Sequence, residues 1–538
     1  MKKQKMWMLA AILTCGLGTV LTACSDKDGK ADKQESAQQA DASYAIEVEP
    51  GLTMPVNNLE TRIKTLTNYD KSVVTALQSI DGVTDVKPYD MIAATFNESL
   101  NQFFGKTAYY FNFKQLVDHN DPSKGYFKQQ CIITVAGKDR PTVVATCGYA
   151  LTGADQPYTN SIDQINLPIL VQVLNANSLY VEHRYHGWSL PEGWTNRWNY
   201  LDAKQQADDL HAIVTAIKKS GVVGKDNKWL STGVSKDGAT TIHYAYYHPN
   251  DMDAYVPFCS PFNLSLEDVR PYNYICSPEA LGSRYEKVKT AFRTFFGDKK
   301  LQADIIAYLK KINASYAERT DEYIRLFLMN KMLRNHFQKM SFVPYTKWES
   351  WIPEPGDNIV KYINYIFSDS NTRYSSDTQG EYERRTINDE ENLDSISAEY
   401  ETRAAGGTKQ RFFAYEIQCL KQLGIGAIAC DWVKEYLTEA EQKELFIRYD
   451  PAKFGVSYDG GAFVRSLLEG MKQSDCHICF VYGMQDPWTA NRIPDEYLGR
   501  NSFVLTIKDG LHNDYIDTWN FSERNVLFQW LQGLGFDF

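Results

Sequence analysis

A serine at position 235 lies where a short apolar stretch gives way to a helical pattern, with Gly233 and Gly238 on either side. In such a strand-to-helix turn the serine oxygen is exposed above a parallel sheet, and small residues let the helix pass close to the neighbouring strands. The N–H of Lys236 would then help to stabilise an oxyanion. Because Asp237 takes the place where glycine is common, the pattern alone also fits an ordinary glycine-flanked turn.

Two later residues could complete a catalytic group with Ser235. Asp486 follows the apolar residues 479–483, and His512 follows the apolar residues 503–507. A serine hydroxyl becomes a good nucleophile when an imidazole accepts its proton and a carboxylate orients that imidazole. The order serine, aspartate, histidine is that of the α/β-hydrolases. We therefore predict a triad of these three residues. Asp514 is the rival acid, but its position favours a place in solvent or at the next helix cap.

The surrounding pattern predicts a mostly parallel sheet flanked by helices. The predicted strands are Tyr109–Leu116, Phe127–Val135, Thr142–Cys147, Leu179–Glu182, Trp229–Val234, Asp253–Phe258 and 477–483, and the clearest helix is Ala203–Ser220. Residues 50–105 are expected to be helical or irregular. The fold class that follows is α/β, an α/β-hydrolase fold with a helical cap insertion.

The helical insertion divides the predicted domain. With 538 residues, the chain is longer than one ordinary domain. We assign residues 51–262 to the first part of the α/β domain and 441–538 to its second part. Residues 263–440 form helical runs with few strands, which is typical of a cap inserted between two sheet strands.

The N-terminus has the pattern of a targeting signal. Lysines at the start precede an apolar run from Met6 to Leu21, which is too short for a comfortable transmembrane helix. The run ends in Leu-Thr-Ala-Cys, which resembles a bacterial lipoprotein box, so Cys24 is the predicted lipidation site. Residues 1–23 are then the signal peptide and 24–50 a flexible tether. The expected location is the cell envelope, with a lipid anchor in the membrane; an ordinary signal peptide that happens to precede a cysteine is the alternative.

Composition and spacing exclude several partners. The net charge is −10 and no long basic stretch follows the N-terminus, so we expect no nucleic-acid partner. Aromatic residues make up 13% of the chain, which suits clefts for peptides or sugars. His183 and His186 have no third ligand at metal spacing, and Cys476 and Cys479 are expected to be core residues, so we expect no metal and no cofactor. The sequence leaves the oligomeric state open.

The chain resembles secreted bacterial serine peptidases of the prolyl tri/tetrapeptidyl aminopeptidase group. The resemblance rests on QLVDH at 115–119, EHRY at 182–185, TGVSK at 232–236 and the loops of Asp486 and His512. It implies that Ser235 is the nucleophile, that His512 is the general base and then acid, and that Asp486 orients the histidine. It also implies that the N–H groups of Lys236 and Tyr149 bind the oxyanion. Asp237 departs from the family pattern, in which Lys-Gly-Gly usually follows the serine.

Substrate recognition is predicted near the end of the fourth strand of the α/β domain. Glu182 and Arg184 would lie there, where they form either a structural ion pair or a site in which Glu182 binds a substrate amine. Glu416, in the predicted helix Gln410–Leu423, is the second candidate acid. Three hypotheses remain open: an exopeptidase acting on free N-termini of peptides, an esterase or other acyl hydrolase, and a surface lipoprotein that binds peptide or glycan without catalysis.

Overall fold

The computed structural model describes most of the chain beyond the N-terminus. The described residues are 44–49, 52–56, 60–65, 69–93, 107–147, 165–166, 169–186, 189–191, 198–368, 414–446, 450–512, 514, 516 and 518–538. The strands, β1 to β15 in chain order, are Tyr44–Glu49, Leu52–Val56, Glu60–Thr65, Val83–Ala93, Thr107–Leu116, Tyr126–Thr134, Thr142–Cys147, Ile165–Asn166, Asn177–Glu182, Trp229–Val234, Ala254–Phe258, Glu267–Asp268, Ile425–Gly426, Ile478–Gly483 and Ser502–Ile507.

Along the chain, helices lie between the strands of the sheet and after the last of them. In chain order, α1 to α16 are Lys71–Gln78, Ile169–Val173, Ala203–Ser220, Lys236–Tyr247, Arg270–Ile275, Pro278–Leu281, Tyr285–Gly297, Lys299–Ile312, Ala314–Ala317, Asp321–Phe342, Tyr345–Trp348, Ile359–Phe367, Ala414–Gln418, Glu439–Phe446, Ala462–Gln473 and Phe521–Gly533. None of the helices that the structure describes is both long and apolar enough to cross a bilayer.

The central sheet has the strand order β15-β14-β11-β10-β7-β9-β6-β5-β4-β3-β8. The half from β15 to β9 is parallel. The half from β9 through β6 to β8 is antiparallel, and it includes the predicted hairpin of β5 and β6. The carboxyl ends of parallel strands share one edge, which is where an open α/β sheet binds its ligands. The predicted α/β-hydrolase class of fold is therefore correct.

The sheet is buried on both faces. On one face, α3, α4 and α15 bury Ile213, Ile242 and Leu467 against it. On the other face, α2 and α16 bury Leu170 and Leu527. Such burial on both faces explains why the parallel strands are continuous apolar runs rather than alternating ones.

Local signals in the sequence set the ends of α3. The carboxylate of Asp202 accepts a hydrogen bond from the N–H of Gln205, which caps the first turn. The helix ends at Gly221, which adopts φ 71°, a left-handed conformation that favours glycine. The predicted bounds of this helix, Ala203–Ser220, match the structure.

A second hydrophobic core lies in the segment predicted as a helical insertion. Helices α5 to α13 fall in this segment, and buried aromatic and aliphatic side chains of α7, α8, α10 and α12 pack together there. The longest described helices of this segment are α8 and α10, in agreement with the helical runs predicted for it. One two-stranded sheet of β12 and β13 accompanies them.

The first part of the chain differs from the expectation. Residues 50–105 were expected to be helical or irregular, but they contain β2, β3 and β4 beside α1. Strand β1 occupies 44–49, within the segment predicted as a tether. β3 and β4 pair in the antiparallel half of the sheet, and their mixed polar sequences do not alternate as a strand facing a single core would.

Candidate active site

Ser235 occupies a strained turn between β10 and α4. Its backbone has φ 59° and ψ −115°, a conformation that few residues other than glycine adopt. The N–H of Ser235 donates to the carbonyl of Phe258 on the neighbouring strand, at 2.8 Å. This bond holds the serine at the carboxyl edge of the sheet. The geometry is that of the predicted nucleophile turn.

The flanking glycines are required by close packing around this turn. A Cβ on Gly233 would lie 2.5 Å from the main-chain carbon of Asp237, and a Cβ on Gly238 would collide with the carbonyl oxygen of Phe258. The spacing of these two glycines therefore reflects how closely α4 passes over β10 and β11.

Asp486 and His512 form a buried hydrogen-bonded pair. Nδ1 of His512 and Oδ2 of Asp486 are 2.8 Å apart, and both side chains are fully buried. The other carboxylate oxygen of Asp486 accepts from the N–H of Trp488 at 3.0 Å. Both oxygens of the carboxylate are thus held in place, which fixes the plane of the imidazole.

The Nε2 atom of His512 is buried and has no hydrogen-bond partner within the described part of the chain. With Nδ1 held by Asp486, Nε2 is the ring atom that remains to exchange a proton. Ser235 is also buried, at 4% exposed, as expected of a group that acts in a site closed to water.

Cys259 lies close to the pair formed by Asp486 and His512. It follows Phe258 directly, has φ 50°, and its Sγ lies within 4.8 Å of ligand atoms of Asp486 and His512. Burial, and then the charge of Asp486, raise the pKa of the Cys259 thiol well above its usual range. The thiol therefore stays protonated and is a poor nucleophile.

The helical segment contacts His512 directly. The N–H of His512 donates to the carbonyl of Ser341 at 2.9 Å, near the end of α10. The ring of Phe342 meets the imidazole edge-on at 5.5 Å, and the ring of Trp488 lies 6.1 Å away. Sequence reasoning missed these three residues, because no local pattern links the end of α10 to the histidine loop.

The side chains of Lys236 and Asp237 face His183. Nζ of Lys236 is 2.5 Å from Nδ1 of His183, and Oδ1 of Asp237 is 4.0 Å from Nε2 of the same ring. Burial, and then the charge of Lys236, hold the pKa of His183 well below its usual range, so Nδ1 of the neutral ring accepts a hydrogen bond from the ammonium of Lys236. The carboxylate of Asp237 thus lies beside an imidazole that is itself hydrogen-bonded to Lys236.

Arg184 has a structural role in place of the predicted contact with substrate. Its guanidinium donates to both carboxylate oxygens of Asp209, at 2.6 and 2.8 Å, and to the carbonyl oxygens of Leu116, Val117 and Tyr200. These bonds use all five N–H donors of the group. Burial alone would lower the pKa of Arg184, but the charge of Asp209 raises it. The partner Asp209 lies on α3, and sequence reasoning had no signal for it.

The remaining candidates lie in two different parts of the structure. Glu182 ends β9 and is fully buried, and its Oε2 accepts hydrogen bonds from the N–H and hydroxyl of Ser189 at 3.0 and 2.8 Å. Glu416 is buried in α13, and the ring of the preceding Tyr415 lies 5.6 Å from Nζ of Lys236. Tyr149 and Cys24 lie outside the described residues.

Comparison with known proteins gives consistent matches. The family described as PS-10 peptidase S37 matches residues 91–287. A prolyl tri/tetrapeptidyl aminopeptidase of Streptomyces mobaraensis is 24% identical over 427 residues, which covers 75% of each chain. Among solved structures, a proline iminopeptidase of Mycobacterium smegmatis matches with 12% identity and a TM-score of 0.32, over 79% of this chain and 98% of that one. An α/β fold family hydrolase of Bacillus anthracis str. Sterne matches with 13% identity and a TM-score of 0.30, over 76% and 95%.

The fold and the sequence matches together define a serine hydrolase of the peptidase class. More particularly, residues 91–287 match the peptidase S37 family, in agreement with the match to the aminopeptidase relative.

Proposed function

We propose that the protein is an exopeptidase that releases short peptides, of three or four residues, from free N-termini. The observation that carries the proposal is the buried Asp486–His512 pair at the same sheet edge as the strained turn of Ser235. With Nδ1 held by Asp486, the buried Nε2 of His512 is the ring nitrogen that can exchange a proton with the serine. The name of the Streptomyces relative supports the choice of a peptide substrate and of its amino end.

The proposed reaction has two stages. Oγ of Ser235 attacks the scissile carbonyl carbon while Nε2 of His512 takes the hydroxyl proton. The carbonyl oxygen becomes an oxyanion, and the N–H of Lys236, at the start of α4, donates to it; the N–H of Tyr149 is the second proposed donor. The imidazolium then returns the proton to the departing amine, which breaks the C–N bond and leaves an acyl-serine. Water, deprotonated by the same imidazole, releases the N-terminal peptide.

An exopeptidase must also hold the substrate's terminal ammonium at a fixed distance from the nucleophile. An ammonium that leaves water requires a carboxylate partner, or its desolvation is not offset. Of the two candidate acids, the sequence slightly favoured Glu182, but one of its oxygens already accepts two hydrogen bonds from Ser189. Glu416 lies on a helix of the segment that would close the far end of the groove. We now favour Glu416 as the amine anchor.

The proposal is tested with a panel of matched substrates. Tripeptide amides with a free amine, the same peptides N-acetylated, and short esters are compared by kcat/KM. Strong preference for the free amine supports an exopeptidase; equal cleavage of acetylated peptides contradicts the amine anchor; cleavage of esters alone identifies an acyl hydrolase. A fluorophosphonate probe that labels the wild type but not Ser235→Ala establishes the nucleophile, and failure to label the wild type favours a binding protein without catalysis.

The anchor is tested with neutral variants of each acid. Glu416→Gln should remove the preference for free over acetylated peptide, with a loss of about 2–5 kcal/mol in transition-state binding if the charge pair is buried. Glu182→Gln is the competing variant, and Glu469→Gln, on an exposed helix face, is the control that should change nothing. Loss of the preference in Glu182→Gln alone would transfer the role to Glu182.

We also propose that the enzyme is held in the cell envelope by lipid on Cys24. The lipoprotein-type sequence up to Cys24 supports this, together with the polar residues that follow it. Tethering would leave the catalytic domain free to meet extracytoplasmic peptides.

A further inference from the structure

Two histidines and two aspartates form a crossed arrangement on the outer face of α3 and the end of α4. Asp208 and His211 belong to α3, and His248 and Asp251 come directly after α4. In both segments the histidine and the aspartate are three residues apart. Nδ1 of His211 is 2.7 Å from Oδ2 of Asp251, and Nε2 of His248 is 2.8 Å from Oδ1 of Asp208. Each segment therefore supplies the acid for the histidine of the other.

The two imidazole rings lie face to face. Their centroids are 4.2 Å apart with an angle of 9° between the planes. The stacking brings the edges of the two rings close together, and imidazole nitrogens are common metal ligands. One ligand atom from each of His211, His248 and Asp251 lies within 4.8 Å of the others.

The surrounding contacts hold these groups in place. The main-chain N–H of His248 donates to the carbonyl of Tyr244, and the carbonyl of His248 accepts from the hydroxyl of Tyr255 at 3.0 Å. The hydroxyl of Tyr244 donates to Oδ2 of Asp251 at 2.6 Å. The bond from Asp208 engages Nε2 of His248 and so leaves Nδ1 for an ion, as carboxylates do for metal-bound histidines.

Solvent can reach the cluster from the side of His211. The side chain of His211 is 44% exposed, so an ion can enter from solvent and the ring can rotate toward it. Lys204 pairs with Oδ2 of Asp208, and Lys218 donates to the main-chain carbonyl of Asp251. Neither ammonium is bonded to an imidazole, and both lie on the carboxylate and carbonyl side of the cluster.

We infer that His211, His248 and Asp251 bind one divalent transition-metal ion of the zinc type, with Asp208 as the acid that orients His248. Imidazole with a carboxylate is a ligand set that suits Zn²⁺ and its neighbours better than Mg²⁺ or Ca²⁺. Three protein ligands leave a fourth position for water. Helix α4 has 12 residues and is therefore about 18 Å long, which separates this site from Ser235 at its other end. The role is structural: the ion would join α3 to the end of α4.

The inference is tested by metal binding to the full-length protein. Zn²⁺ titration by calorimetry should give one site, and Co²⁺ should give the visible absorption of a four-coordinate ion. His211→Ala, at the exposed ligand, should lower the affinity by about 100-fold or more, and Asp208→Asn by about 10–100-fold. His477→Ala, at another partly exposed histidine, is the matched control and should bind as the wild type does.

Two further measurements decide where the ion binds. Zn²⁺ should raise the Tm of the wild type and of His512→Ala, but not that of His211→Ala. Equal binding by the wild type and His211→Ala, or the absence of binding, overturns the inference. Binding that is lost in His512→Ala but kept in His211→Ala also overturns it, because the ion would then lie among Cys259, Asp486 and His512.

Discussion

At the residue scale, Arg184 and Asp209 are held by partners that are distant from them in the sequence. All five N–H donors of Arg184 and both carboxylate oxygens of Asp209 take part in these hydrogen bonds. Nε2 of His119 adds a further contact to Asp209, at 2.8 Å. Such a buried network stabilises only when it is complete, because removal of one member leaves an uncompensated charge. The EHRY motif therefore owes its arginine to folding, although its position beside the site suggested recognition of substrate.

We expect Arg184→Met to lower the free energy of unfolding by about 3–5 kcal/mol, because Asp209 would then be a buried charge with its main partner removed. Denaturant unfolding measures the loss. Arg500→Met is the matched control: Arg500 pairs with Asp475 on the surface, where both side chains are about two-thirds or more exposed, and this pair should contribute about 0–1 kcal/mol. An equal loss in both variants would contradict the structural role of Arg184.

For substitution of Ser235 we expect the opposite result, a large effect on activity and a small effect on stability. Ser235→Ala should reduce kcat by about 10⁴-fold or more, because triad members act as a unit. Its Tm should stay close to that of the wild type, since only one oxygen atom is removed. Peptide hydrolysis and thermal unfolding are measured on the same preparation. A variant that retained a rate within about tenfold of the wild type would place the nucleophile elsewhere.

At the element scale, the sequence predicts what short-range patterns determine. The bounds of β10 and α3 were correct because an apolar run, an N-cap and a C-terminal glycine are local signals. Strands β3 and β4 were missed because they belong to the antiparallel edge half of the central sheet, where mixed polar sequences become strands through pairing. Strand β2 was missed as well, and it pairs with β1 in a separate two-stranded sheet. The contact of α10 with His512 was missed for a related reason: it depends on how the helical segment packs onto the sheet.

The close packing at the glycines beside Ser235 should also affect the stability of the protein. Gly238→Ala should destabilise the protein by about 1–3 kcal/mol, because the new methyl group would force α4 away from the carbonyl of Phe258. The same change should lower activity, since the displaced helix carries Lys236.

Gly533→Ala is the control for that prediction. Gly533 is the last residue of α16, and a Cβ there would meet no atom within 4 Å. Alanine is favoured over glycine in a helix by up to about 1 kcal/mol, so this variant should be neutral or slightly more stable. If both substitutions had the same effect on the unfolding midpoint, close packing at Gly238 would not be the cause.

At the scale of the whole molecule, the sheet and the helical segment meet at the catalytic histidine. Asp486 and His512 come from loops of the sheet, whereas Ser341 and Phe342 come from α10. The positions of Ser235, Asp486 and His512, each after a strand of the sheet, could be predicted, because each follows an apolar run of residues. The enclosure of the site could not, because it arises only when two hydrophobic cores pack against each other.

The proposed attachment to the envelope depends on Cys24, which lies outside the described residues. We expect wild-type protein to fractionate with membranes and Cys24→Ala to be lost from them. Two or more acyl chains on one residue give stable anchoring, whereas one chain alone is marginal, and the apolar run from Met6 to Leu21 is too short to replace them. Quantitative immunoblotting of membrane and soluble fractions, with and without a high-salt wash, measures the difference.

Cys15→Ala is the matched control for that prediction. Cys15 lies inside the apolar run and would leave with the signal peptide, so its substitution should change neither lipidation nor fractionation. Incorporation of a clickable fatty acid should follow the same pattern, present in wild type and Cys15→Ala and absent in Cys24→Ala. Peptidase activity per molecule should be equal in all three, because neither cysteine belongs to the proposed catalytic site. If Cys24→Ala remained in the membrane after the wash, some other part of the chain would hold it there, and lipid on Cys24 would not be the anchor.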